Sequence, residues 1–291
     1  MIKQVLDKFI TDAYKLKVAV IGETIIDEFV PVSYEGQSMK SICPVFRLEG
    51  NKTKQIGGAG VIAQHLKDFV ASVTLISNSK EEIVKTRYID VNDQKKHVEI
   101  NKFETSGFGP LSINTEDHDV VIVADFGHGF CNQLTINNGF HLMCQTNSNN
   151  FGFNRVSKWK KYKKRSICLD LREASLQMNK RINSPSDRNI SELFNYEMEA
   201  EIVYVTTGKQ GSIMSDGKTI QRLSSYPSKI VDTIGAGDAF YAFASLMLNT
   251  TLKKEDHLIV PSLAASLSTT WLCNEQSVTK EKLLKHAAQF I

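Results

Sequence analysis

The chain has 291 residues, with 35 Lys and Arg against 32 Asp and Glu and a formal net charge of +3 at pH 7. Its 42% hydrophobic and 23% charged content excludes a disordered or fibrous chain, and the near balance of charge excludes a broad electrostatic footprint for nucleic acid. No run approaches the ~18 apolar residues of a membrane span, and the opening MIKQVLDKFITDAYKLK scatters charges where a signal peptide needs an apolar block, so a cytoplasmic protein without a membrane partner is expected. Five widely spaced cysteines with no CxxC pair indicate neither a disulfide framework nor a zinc knuckle.

In chain order, Ile2, Val5, Leu6, Phe9, Ile10 and Ala13 fall at helical spacing and predict an amphipathic first helix. VAVIG (18–22) is the first of several short, wholly apolar runs suited to strands buried on both faces. The others are VTLIS (73–77), VVIVADFG (120–127), HLMCQ (141–145), SICLDL (166–171) and EIVYVTTG (201–208), with helix-compatible segments between most of them. Strand alternating with helix predicts a doubly wound, mostly parallel α/β sheet flanked by helices, whose ligands bind beyond the carboxyl ends of the strands. Residues 30–56 and 84–105 lack helical period and read as a small β lid attached to a single domain, 1–291. The run KWKKYKKR (158–165) reads as a solvated helix face.

The most informative stretch is DTIGAGDAFYAFASLML (232–248). Gly235, Ala236 and Gly237 leave the backbone open, and the apolar positions after them have helical spacing. The turn therefore sits at a helix N-terminus, where free N–H groups and the helix dipole favour a phosphate. Asp238 lies within that anion hole, either as a general base taking a proton from an attacking hydroxyl or as a helix-terminus residue.

DTIGAGDAF resembles the C-terminal signature of the ribokinase-like carbohydrate kinases, D-T-x-G-A-G-D-x-F, and every named letter matches. The resemblance implies a ribokinase-like fold, ATP and Mg²⁺ as cofactors, Asp238 as catalytic base, and Gly235, Ala236 and Gly237 as the anion hole for the transferring phosphoryl group. GETIID (22–27) resembles the segment whose last Asp contacts sugar hydroxyls, which points to Asp27. IGGAGVIAQHL (56–66) resembles the family's G-G-A-x-N-x-A segment, with Gly57 and Gly58 near the sugar, but the usual Asn is absent. VTTGKQGS (205–212) resembles the T-x-G-x-x-G turn of the nucleotide site and implies roles for Thr206, Gly208 and Gly211. Neither a P-loop nor a Rossmann fingerprint fits the glycine spacing.

Two segments compete for the family's N-x-x-E motif, which orders Mg²⁺ through water and phosphate rather than by direct ligation: Asp170 with Glu173, favoured by its place at a strand end, and Asn189 with Glu192. VADFGHGF (123–130) resembles a segment of the heptose-phosphate kinases of lipopolysaccharide precursor synthesis, with Asp125 and Gly127 in matching places. CQTNSNNFGFN (144–154) resembles kinases fused to sugar nucleotidyltransferases and adds Gln145 and Asn147 as polar candidates. The expectation is an ATP-dependent kinase acting on a heptose phosphate or related envelope sugar, with a separate nucleotidyltransferase downstream and a homodimer formed through the lid. A kinase for another small sugar or nucleoside, and a non-catalytic sugar- or nucleotide-binding protein of the same fold, are the alternatives. Potassium activation is not expected, because residues 262–280 lack a clear form of the Gly-containing loop that binds it in relatives.

Overall fold

Helix α1 (Ile2–Ala13) buries Val5, Leu6, Phe9 and Ala13 on one face, as its spacing predicts. The computed structural model describes residues 1–78, 82–102, 108–137, 139–145, 154–183, 185–195 and 199–291. After α1 the chain forms β1 (Lys17–Gly22), β2 (Thr24–Gln37), β3 (Pro44–Leu48), β4 (Thr53–Gly58), α2 (Ala59–Leu66) and β5 (Ser72–Ser77). There follow β6 (Ile83–Asp90), β7 (Lys96–Lys102), β8 (Leu111–Ile113), β9 (Val120–Asp125), β10 (Leu134–Ile136), β11 (Phe140–Cys144), β12 (Lys164–Asp170), α3 (Leu171–Gln177) and α4 (Asp187–Asn195). The last third comprises β13 (Ala200–Thr206), β14 (Ser212–Ser215), β15 (Ile220–Leu223), α5 (Ala236–Ala244), α6 (Ile259–Ser268) and α7 (Lys280–Ala287).

The main sheet has eight strands in the order β15-β14-β13-β12-β11-β9-β1-β5. Its pairings from β5 to β13 are parallel and those of β14 and β15 are antiparallel. The apolar runs are explained by burial on both faces. Along β9, Val120, Ile122 and Ala124 join one hydrophobic core and Val121 and Val123 the other. Between β9 and β11 the sequence suggests room for a helix, but the described residues form bends and the short strand β10, paired with β8.

The expected β excursion is a second, five-stranded sheet with β2 at its centre, paired to β3, β4 and β6, and with β7 beyond β6. It starts earlier than predicted, because β2 leaves the main sheet almost directly after β1 and runs for 14 residues. The basic run is a correction. Val156–Trp159 is a 3-10 turn, β12 begins at Lys164, and Trp159 and Lys164 are both fully packed in the interior. Trp159 stacks edge-on against Phe140, and the Lys164 ammonium donates to the carbonyls of Trp159 and Tyr162, so aromatic packing and carbonyl solvation override the surface pattern.

Candidate active site

The carboxyl ends of β9, β11, β12 and β13 open on one side of the main sheet, and the second sheet stands over them. Between the two lies a cavity of about 390 Å³. Its upper wall carries Ile25, Asp27, Gly58, Lys85 and Arg87, and its floor carries Gln145, Asp170, Glu173, Thr206, Gly235, Gly237 and Asp238. Residues far apart in sequence are thus gathered at the carboxyl edge of a parallel sheet, the usual ligand position in such folds.

Gly235 is the N-cap of α5 in a left-handed conformation, φ +82°, so the chain turns sharply before the helix starts. A Cβ at Gly235 would collide with Oδ1 of Asn274. Substituting Gly235→Ala therefore forces both a costly φ, ~1–2 kcal/mol, and a displaced Asn274. We expect a lower melting temperature, read by thermal unfolding of the variant beside wild type. Behind the turn, the N–H groups of Gly237 and Asp238 have no acceptor among the described residues. They are first-turn donors of a helix whose positive dipole end faces the cavity, which suits an anion.

Asp238 is half-buried and lines the cavity. Burial, then the Asp27 carboxylate, push it up to about 7, and Lys85 opposes them. The Asp27 carboxylate is 5% exposed and pairs with Arg87, whose Nε binds Glu99 at 2.8 Å. Asn274 Nδ2 approaches the other Asp27 oxygen at 3.4 Å, and its backbone N–H donates to Gln55 Oε1 at 2.7 Å. Gly57 lies so close that a Cβ there would strike Asp27 Oδ2.

Asp170 and Glu173 form a reciprocal capping box at the start of α3. Asp170 Oδ1 accepts from the Glu173 N–H at 2.6 Å, and Glu173 Oε2 accepts from the Asp170 N–H at 2.7 Å. Burial, then Asp170, push the Glu173 carboxyl well up. Asn189 and Glu192 lie instead on α4, where Glu192 pairs with Lys180 and Arg188 away from the cavity. Thr206 lines the cavity, while Gly208 and Gly211 make the turn after β13 and stand back from its wall, as Ala236 does in the first turn of α5.

Asp125 is not part of the cavity wall. Its carboxylate is turned into the interior, 2.6 Å from Lys158 Nζ and accepting from Trp159 Nε1 at 2.8 Å, and the wall at this point is Phe126 and Gln145. Glu23 lies beside Asp125 with no solvent exposure and accepts from the Phe126 N–H at 2.7 Å. Gln145 lines the cavity and its Oε1 is buried without a partner among the described residues. Asn147 lies outside the described residues.

Sequence reasoning missed Lys85, Arg87, Asn274 and Glu23. For the first two a signal existed: two cations spaced i, i+2 in a segment of β character share one face.

Residues 167–272 match the model of the pfkB family carbohydrate kinases. Among curated relatives, the chain is 28% identical to the ATP-dependent 6-phosphofructokinase of Thermoanaerobacterium thermosaccharolyticum, over 64% of this chain and 59% of that one. It is 23% identical to the ribokinase of Lactococcus lactis, over 85% and 83% of the two chains. It is also 18% identical to the bifunctional protein HldE of Campylobacter fetus, over 87% of this chain and 62% of that one. The phosphofructokinase and HldE are therefore matched over less than two thirds of their own length. The solved ribokinase of Thermotoga maritima superposes with a TM-score of 0.71 at 14% identity, covering 94% of this chain and 99% of that one.

The architecture is a ribokinase-like α/β fold with a cavity at the carboxyl edge of its main sheet. Within that fold, residues 167–272 carry the likeness to the pfkB family carbohydrate kinases, and the curated relatives the chain resembles include a ribokinase and an ATP-dependent 6-phosphofructokinase.

Proposed function

We propose that this chain moves the γ-phosphoryl group of ATP to a sugar hydroxyl, with Asp238 as the base. The observation that carries the reading is the place of Asp238: a carboxylate at the cavity floor, beside unpaired N–H groups at the N-terminus of α5. The residues fit the nucleotide and its metal, because those donors and the open Gly235–Gly237 turn accept a phosphate, and Thr206 and Glu173 flank it. Bound there, ATP with Mg²⁺ supplies the transferable phosphoryl group and neutralises its charge.

Asp238 accepts the proton of the acceptor hydroxyl, and the Gly237 and Asp238 amides hold the negative charge that gathers on the transferring group. Asp27, held by Arg87 and Asn274, orients the sugar with the Gly57–Gly58 turn at its back. Gln145 and Asn274 supply amide groups on the acceptor side, where the sequence lacks the family's Asn. Asp170 fixes Glu173 through the capping box, and Glu173 orders the water around Mg²⁺. Gly208 and Gly211 shape the turn that borders the nucleotide. The second sheet serves as the lid of the single domain.

The acceptor we favour is a heptose phosphate or related bacterial envelope sugar, supported by the VADFGHGF segment and by the likeness to HldE. In that pathway type a separate nucleotidyltransferase consumes the product. The second sheet exposes Tyr34, Leu48, Ile56 and Ile100, an apolar surface suited to pairing with a second copy. No helix of the described residues is long and apolar enough to cross a membrane, and a cytoplasmic location agrees with dependence on ATP.

The test is ADP release from ATP and Mg²⁺ across heptose phosphates, hexoses, hexose phosphates, pentoses and nucleosides. Release with a heptose phosphate supports the full reading, release with another acceptor replaces the heptose, and silence with every acceptor refutes the kinase assignment. Because Asp238 must be charged to accept a proton and is pushed up to about 7, kcat/KM should rise with pH through the neutral range and then level. A flat profile from pH 5.5 to 8.5 would contradict the role of Asp238.

A further inference from the structure

Strands β2 and β6 run parallel, with Asp27 opposite Lys85 and Phe29 opposite Arg87. Lys85 and Arg87, two residues apart, therefore share the face on which Asp27 lies. Arg87 is committed: it pairs with Asp27 and Glu99 and stacks over the Phe29 ring. Lys85 is half-buried, lines the same cavity as Asp27 and Asp238, and makes no hydrogen bond or ion pair among the described residues. The remaining cavity acids are also committed, because Asp170 and Glu173 hold each other's backbone. An ammonium drawn partly out of water next to a guanidinium is tolerated only where anions surround it.

We propose that Lys85 is a positioning residue for phosphoryl transfer: from the second sheet it faces Asp238 across the cavity and holds that carboxylate in its charged, proton-accepting form. This rests on the reading of Asp238 as the base. The charged and titratable groups around Asp238 are Asp27 from β2, Lys85 and Arg87 from β6, Glu173 from α3, and the Cys168 thiol and Asp170 carboxylate from β12. Asp27 is the like charge that disfavours ionisation of Asp238, and Lys85 the cation that favours it. The relation is mutual. Burial and Arg87 push Lys85 down, while Glu99, Asp27 and Asp238 hold it up. Losing the ammonium leaves Asp238 with Asp27 and a dry wall, so its proton is held to higher pH.

The test is a ¹³C-carboxyl NMR titration of Asp238 in the full chain, with the resonance assigned by Asp238→Asn, for wild type, Lys85→Met and Lys85→Arg. Circular dichroism checks that each variant folds. Lys85→Met keeps the length and apolar stem and should raise the Asp238 midpoint by about one unit or more, as expected for losing an opposite charge at close range. Lys85→Arg should return it towards wild type, and the acid limb of kcat/KM should move with it. An unmoved midpoint in Lys85→Met overturns the proposal, as does an equal shift in both variants, which would reveal a packing effect. An unmoved midpoint with a raised acceptor KM would assign Lys85 to the acceptor instead, and also overturns it. A wild type silent with every acceptor refutes the kinase reading separately, since the titration needs no turnover.

Discussion

Substituting Asp238→Asn should lower kcat by a factor of ~10²–10⁴, the usual contribution of a positioned general base, while ATP still binds. Asn keeps the shape and cannot accept the proton. The Gly237 and residue 238 backbone N–H groups that face the phosphate are unchanged, so calorimetric titration with ATP and Mg²⁺ should give an affinity near wild type. The same variant should be more heat-stable at pH 8. In the unfolded chain Asp238 ionises near the ordinary aspartate value of 3.8, whereas the folded protein keeps its proton to about 7. The native state therefore binds more protons over that window, and stability falls as pH rises through it. A neutral amide removes that cost, and the carboxylate makes no hydrogen bond among the described residues that Asn would lose. Retained turnover, or a destabilised variant at pH 8, would mean that Asp238 is a structural helix-terminus residue.

Lys158→Met should destabilise the fold by ~3–5 kcal/mol, the range for leaving a buried charge without its partner, because the Lys158 side chain is 27% exposed but the Asp125 side chain it neutralises is fully buried. Asp125 is 1% exposed and depends on Lys158 for its counter-charge, with the Trp159 indole as a further donor. Glu23 is packed beside it, and burial, then Asp125, already push that carboxyl up. Without Lys158 two acids would share a dry interior with no cation, at the ends of β1 and β9 that shape the cavity. Lys163→Met, on an exposed position of the same basic run, is the control and should stay within about 0.5 kcal/mol of wild type. Urea unfolding of both variants measures the difference. Equal, small effects would show the Asp125 site to be wetter than its packing indicates.

The strands were legible because burial on both faces leaves no polar alternation: Val18 to Ile21 are all fully buried and read as one apolar word. The signature turn was legible because Gly235, at φ +82°, answers a backbone requirement that other residues meet poorly, and Gly237 leaves the space in front of the helix open. The basic run misled for the opposite reason. Charge suggests solvent, yet Lys164 is held inside by the carbonyls of Trp159 and Tyr162, and the partly exposed Lys158 reaches inward to the buried Asp125 carboxylate. Asp125 stood in the expected motif but faces inward, since a strand-end side chain can turn to either side of the sheet. Asn274 carries no local motif, and Lys85 and Arg87 carry only the i, i+2 spacing that puts them on one strand face. They join Asp27 and Asp238 only through strand register and the docking of the second sheet, which a linear reading does not contain.

The cavity's two walls come from different stretches of the polypeptide. In the proposed kinase, its acceptor side is drawn from residues between Ile25 and Gln145 together with Asn274, and its phosphate side from residues between Cys168 and Asp238. The segment that matches the family model, 167–272, coincides almost wholly with the second of these. Phosphoryl donation poses the same chemical problem in every such enzyme, whereas each acceptor poses its own. As the kinase proposed above, a chain divided in this way could change its acceptor by exchanging its first half while its second is inherited intact. Grafting residues 24–102 from a relative of different acceptor preference is thus a direct route to altered specificity, provided Lys96 keeps its 3.0 Å grip on Asp232 at the seam between the halves.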